Sequence, residues 1–164
     1  MTKCFQAVVI AEPDETHGKK AAKCLCDNFG LNKAIYLPCD VRCPKQLEDT
    51  FRYTQCMFKR IDIVLNNAGV IDDRNWEKST QINVLGAIRG ILLANKYMEG
   101  KEGVVINTCA TAGLMPWPNC PVFAAGKHAV VAACRCLGVS KHNLLFRKGG
   151  HFEILKKISF ENKG

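Results

Sequence analysis

Ile61-Asp62-Ile63-Val64-Leu65-Asn66-Asn67-Ala68-Gly69 is a short apolar run that ends in a small polar turn. Runs of this kind suit strands buried on both faces of a parallel sheet. Upstream, Ala7-Val8-Val9-Ile10-Ala11 and Ala34-Ile35-Tyr36-Leu37 are two more, and downstream Val104-Val105-Ile106-Asn107 is a fourth. Helical patterns lie between them. Asp14 to Phe29 carries Ala21, Ala22, Leu25 and Phe29 at helical spacing, and Gly30 supplies the stop. Pro44 opens a helix with Leu47, Phe51, Thr54 and Phe58 on one face. Asn75 to Met98 predicts a long helix with Ile82, Leu85, Ile88 and Leu92 on one stripe. Gly86 and Gly90 each weaken it by about 1 kcal/mol relative to alanine, but glycines four apart let another helix approach closely. Pro121 to Leu137 predicts a last long helix, apolar on most sides, and after Gly138 only a short amphipathic piece over 152–160 is legible. Strand–helix alternation with apolar strands gives an α/β fold with a mostly parallel sheet. In such sheets ligands sit at the carboxyl ends of the strands.

The chain has 164 residues, 48% of them hydrophobic and 23% charged, which excludes disordered and fibrous classes and fits one domain. No run of about 18 uncharged apolar residues exists to span a membrane. Glu12, Asp14 and Glu15 follow the N-terminal apolar patch at once, which is not a secretory signal, so a cytoplasmic setting is expected. Ten cysteines then stay as thiols. None forms a CxxC pair and no histidine cluster accompanies them, so no metal site is expected. The net charge is +8, and residues 140–164 hold six basic against two acidic side chains, half of that total. No aromatic-interleaved motif goes with it, so it reads as a solvated basic tail, 139–164, with no specific nucleic-acid partner.

The strand ends carry the chemistry. Glu12 ends the first strand, Cys39-Asp40-Val41 follows the second, Asn66-Asn67-Ala68-Gly69 the third, and Asn107-Thr108-Cys109-Ala110 the fourth. Pro121-Val122-Phe123-Ala124-Ala125-Gly126-Lys127 then opens the final helix. Taken with 62–70, 75–84, 113–116 and Lys127-His128, this set resembles the short-chain dehydrogenases/reductases over roughly residues 5–137. The resemblance implies a Rossmann-like, doubly wound parallel sheet, and an NAD-dependent oxidoreductase acting on a secondary alcohol or ketone of the hydroxyprostaglandin type. By resemblance, Glu12 meets the adenosine ribose and its carboxylate favours NAD over NADP. Asp40 and Val41 contact the adenine ring, Asn67 and its turn lie beside the cofactor's ribose, Asn83 assists a proton relay, and Lys127 contacts ribose.

This sequence departs from the family in four places. The catalytic tyrosine, four residues before the lysine, is Phe123, and the substrate-binding serine position is Ala110. A phenylalanine has no proton to exchange and an alanine has no hydroxyl to orient a substrate oxygen. General acid–base catalysis contributes about 10²–10⁴-fold. No GxxxGxG or GxGxxG occurs, so the phosphate-cradling turn and the family's first strand are missing. An alternative, with Cys4–Ala11 as first strand and 12–18 as a degenerate loop, is opposed by Glu12 and by the direct run into Cys39-Asp40-Val41. The family's sheet order 3-2-1-4-5-6-7 then shortens to 3-2-4-5, if strands 2 and 4 close the gap. The expectation is therefore an incomplete Rossmann-like domain over 1–138, truncated at both ends, and a chain that is catalytically inactive or a fragment. The alternative is a non-enzymatic relative that dimerises with itself or an active relative through 75–98 and 121–137.

Overall fold

The computed structural model describes residues 7–99 and 103–136, with the backbone of 145–146 and 151–158. The expected domain boundary near residue 138 lies outside them. The elements alternate as the sequence pattern predicts: β1 (Val8–Glu12), α1 (Glu15–Phe29), β2 (Ala34–Pro38), α2 (Pro44–Phe58), β3 (Ile63–Asn66), α3 (Trp76–Thr80), a π-helical segment (Gln81–Gly86), α4 (Ala87–Tyr97), β4 (Gly103–Ala110), a 3₁₀ turn (Thr111–Gly113) and α5 (Pro121–Cys136). Asp14 caps α1 by accepting from the His17 N–H at 2.8 Å, and Gly30 ends it with φ +108°. Two further strands, β5 (Leu145–Phe146) and β6 (His151–Ile158), run antiparallel. Of the expected amphipathic piece over 152–160, the described residues 152–158 are strand, and β6 pairs along the whole of β4.

The sheet differs from the expected single 3-2-4-5 array. β1 pairs with β2 in parallel, β3 pairs with β4 in parallel, and the two pairs belong to separate sheets, the second ordered β3-β4-β6-β5. The predicted neighbours are therefore correct within each half, but the gap between the halves is not closed. Helix packing explains why. α2 and α4 are joined by the Phe51–Tyr97 ring contact at 5.6 Å and the Lys96–Glu48 ion pair at 2.6 Å. The Arg89 guanidinium donates to the carbonyls of Val41 and Arg42. Drawing β1 against β3 would tear these contacts. Apolar side chains suited to a central strand are left in water, with Ile63 at 39% and Leu65 at 57% exposure.

The main core joins α2, α4, β4 and α5, with Met98, Val105, Cys109 and Val130 fully enclosed. β4 alternates strictly, burying Gly103, Val105, Asn107 and Cys109. The 75–98 helix buries a different stripe from the one its large residues suggest. Asn83, Gly86, Gly90, Ile91, Ala94 and Met98 face inward, while Leu85 and Leu92 are 41% and 52% exposed. Small residues win the inner face because the helix lies close on the sheet. A Cβ on Gly86 would sit 2.9 Å from Val41 Cγ2, and one on Gly90 2.0 Å from Asn66 Oδ1. The close approach expected of these glycines is made within the chain, to Val41 and Asn66, and not to another copy.

Candidate functional site

The carboxyl ends of β3 and β4 gather one cluster of polar side chains. Asn66 Nδ2 donates to Asn107 Oδ1 at 2.8 Å, tying the two strands together below the surface. The next residue, Asn67, is exposed and accepts the Thr108 hydroxyl at 2.9 Å. Asn83 sits on the π-helical segment, 2% exposed. Its Oδ1 accepts the Val70 N–H at 2.9 Å, and its Nδ2 donates to the Val70 carbonyl at 2.7 Å and to Ser79 Oγ at 3.0 Å. Both amide hydrogens are spent, and one lone pair remains for other work. Oδ1 lies near exposed Gly69, where a Cβ would stand 3.1 Å from Asn83 Oδ1 and 3.5 Å from Lys127 Nζ.

Lys127 reaches this cluster from α5. It is 6% exposed, and its Nζ donates to the Thr108 carbonyl at 3.0 Å and lies 5.6 Å from the Phe123 ring centroid. Burial pushes its pKa below that of an ordinary lysine. Phe123 belongs to a small apolar cluster with Ala112 and Ala124, against which Ala110 and Cys120 pack. The two positions where the resemblance places hydroxyls are thus filled by hydrocarbon belonging to one cluster.

A second group lies at the ends of β1 and β2. Glu12 Oε1 accepts the Asp14 N–H at 3.2 Å. Asp40 is clamped by Arg42, whose Nε donates to both carboxylate oxygens at 3.0 and 2.8 Å, so its carboxyl stays below the usual range. Val41 links the two groups through Gly86 and Arg89.

Three contributors escape a reading of sequence. Ser79 completes Asn83's bonding, and the Thr108 carbonyl, a backbone group, holds Lys127. Asp73 caps α5 from 49 residues away by accepting the Val122 N–H at 2.8 Å, and it also accepts from Phe123 at 3.1 Å. A signal existed for the last: Cys120, just before Pro121, is a poor capping residue, so the helix start had to find its acceptor elsewhere.

These residues fit a dinucleotide only in part. Polar groups stand at the ends of β1 to β4, but the starts of α1 and α5 are not open to a phosphate. The first turn of α1 carries the Asp14 and Glu15 carboxylates, and that of α5 is filled by Asp73.

The short chain dehydrogenase family model matches residues 3–143. The chain belongs to that family. It is similar to rat 15-hydroxyprostaglandin dehydrogenase [NAD(+)], with 37% identity over 142 residues covering 84% of this chain and 53% of that protein. The human enzyme of the same name is 41% identical over 122 residues, covering 72% of this chain and 46% of the human one. The chain therefore spans about half the length of these relatives. A crystal structure of a short chain dehydrogenase/reductase from Burkholderia phymatum in complex with NAD superposes with a TM-score of 0.76 at 25% identity, over 88% of this chain and 53% of that one. Among the described residues no helix is long and apolar enough to cross a membrane.

Proposed function

We propose that this chain is a short-chain dehydrogenase-family protein whose alcohol/ketone site, of the hydroxyprostaglandin type, is catalytically silent as it stands. One observation carries the reading. Phe123 and Ala110 share an apolar cluster where a proton donor and an orienting hydroxyl are needed, while Lys127 is held by the Thr108 carbonyl. Oxidising a secondary alcohol requires removal of its hydroxyl proton as the hydride leaves. A phenolate acidified by a neighbouring ammonium does this in the family's pattern. Here the lysine survives and the phenol does not.

NAD is the cofactor class the resemblance supports. In this reading Glu12, Asp40 and Val41 would meet its adenosine end, and Asn67 and Lys127 its other ribose. Asn83 would support a water relay through its remaining lone pair. Since the starts of α1 and α5 carry carboxylates, binding is expected to be weak. The free thiols of the described cysteines suit a reducing compartment, and the reading places the chain in the cytoplasm.

Calorimetric titration of NADH into the purified chain, with thermal melting alongside, tests this. The expected result is a cooperative melt that NADH does not raise, and no saturable micromolar binding. If micromolar binding does occur, the site is better formed than proposed. Phe123→Tyr with Ala110→Ser is then expected to raise alcohol oxidation by about 10²–10⁴-fold. Equal rates in wild type and double variant would overturn the assignment of silence to these two positions.

A second reading is assembly with another copy or an active relative through 75–98 and 121–137. The exposed Leu85 and Leu92, seven residues apart on the outer face of the 75–98 helix, favour it. On α5, Ala125, His128 and Ala132 are exposed along the outer side. Leu85→Lys with Leu92→Lys is expected to shift the chain toward monomer in sedimentation velocity, with its melting temperature kept. An unchanged sedimentation profile would remove this helix from any interface.

A further inference from the structure

Lys127 is the one charged side chain among the described residues that the fold buries. No described carboxylate pairs with it. Its Nζ has the Thr108 carbonyl at 3.0 Å and the Phe123 ring beneath it. Gly69 is exposed and has no side chain, and the place where its Cβ would stand is 3.5 Å from Nζ and 3.1 Å from Asn83 Oδ1. Exposed backbone without a side chain thus lies close to the amine, with a hydrogen-bond acceptor near it and an aromatic ring beneath.

We propose that Lys127 is an imine-forming site that condenses with small apolar aldehydes entering over Gly69. The neutral Nζ adds its lone pair to the carbonyl carbon, and a proton passes from nitrogen to the carbonyl oxygen to give a carbinolamine. Its hydroxyl leaves as water together with the hydrogen remaining on nitrogen, the nitrogen lone pair closes the C=N bond, and no oxidant or reductant is consumed. The open lone pair of Asn83 Oδ1 is placed to accept a hydrogen bond from the carbinolamine hydroxyl. The Phe123 ring and the alanines packed with it favour an alkyl aldehyde over a charged one. Burial supports the step by enlarging the neutral fraction of the amine. Exposed Lys19 and Lys96 are paired with Glu15 and Glu48, and those carboxylates hold their amines protonated. The site needs no cofactor, so it stands or fails separately from the dehydrogenase reading.

The test is incubation of the full chain with butanal and cyanoborohydride at neutral pH, followed by peptide mass mapping. Lys127 is expected to acquire a butyl group at least about tenfold faster than Lys19 or Lys96, whose carboxylate partners keep their amines occupied. Gly69→Val, which places a side chain over the amine, is expected to slow labelling at Lys127 about tenfold and leave Lys19 unchanged. Lys127→Arg should lose the label while keeping a cooperative melt. Labelling spread over the exposed lysines with Lys127 untouched would overturn the proposal. So would labelling of Lys127 that appears only in urea, or at the same rate in Gly69→Val.

Discussion

Asn83→Ala is expected to lower folding stability by about 2–4 kcal/mol, because each buried polar group left without a partner costs roughly 1–3 kcal/mol. The amide satisfies both backbone groups of Val70 and the hydroxyl of Ser79, at 2.9, 2.7 and 3.0 Å. Val70 is half-buried, so water recovers part of the loss, which sets the lower bound. Ser79→Ala removes one of the three bonds and should cost about 1 kcal/mol. Urea denaturation measures both, and an unchanged m-value would assign the shift in midpoint to stability. A near-neutral Asn83→Ala would mean that this asparagine is not what fastens the turn after β3 to the 75–98 helix. The prediction matters for function too. A side chain that holds the fold in this way persists with or without a reaction, so the presence of Asn83 supports family membership more firmly than it supports turnover.

The same distinction shows how much of the molecule the sequence makes legible. Continuous apolar runs identify β1 to β4, since a strand covered on both faces needs nothing else, and all four occur within a residue or a few of their expected limits. Pro44, Pro121 and Gly30 act locally and mark their helix ends correctly. Closure of the sheet was not legible, because strand adjacency across the missing position depends on how α2 and α4 pack, a contact made 40 or more residues apart. The inward face of the 75–98 helix was not legible either. Hydrophobic periodicity weights Leu85 and Leu92, whereas the close approach of helix and sheet rewards Gly86, Gly90 and Ala94. At the site, motif positions locate Asn67, Asn83 and Lys127 together, but the partners that set their states are a backbone carbonyl at Thr108, the small hydroxyl of Ser79 and the remote Asp73. The first two carry no pattern in sequence, and for Asp73 the sequence shows only that α5 lacks a local cap. The departures at Phe123 and Ala110 could be read from sequence singly. That both belong to one apolar cluster is visible only in three dimensions, and it means that restoring one hydroxyl alone would place a polar group against hydrocarbon.

Gly90→Ala is expected to destabilise the chain by about 2–3 kcal/mol, although alanine is worth about 1 kcal/mol more than glycine inside a helix. The new methyl would stand 2.0 Å from Asn66 Oδ1, 2.7 Å from its Cγ and 2.9 Å from its Nδ2, so the Asn66 side chain has to leave. Leaving breaks its bond to Asn107 Oδ1, and Asn107 is only 3% exposed, so that oxygen is stranded where water does not replace the donor. Overpacking adds roughly 1–3 kcal/mol, and the stranded acceptor about as much again, which together outweigh the propensity gain. Gly86→Ala provides the comparison on the same helix. Its methyl would crowd the Val41 side chain, at 2.9 and 3.0 Å, and touch the Gln81 carbonyl at an ordinary 3.5 Å, and Val41 is half-buried with no hydrogen bond from that side chain to lose. A shift of a few tenths of an ångström relieves the contact, so Gly86→Ala is expected within about 1 kcal/mol of wild type, the propensity term offsetting the crowding. Chemical denaturation of the two variants side by side decides the matter. Equal effects would show that the Asn66–Asn107 bond contributes nothing that the helix cannot recover. A large loss confined to Gly90→Ala would identify that buried pair, and not helix propensity, as what fixes the 75–98 helix over the carboxyl ends of β3 and β4.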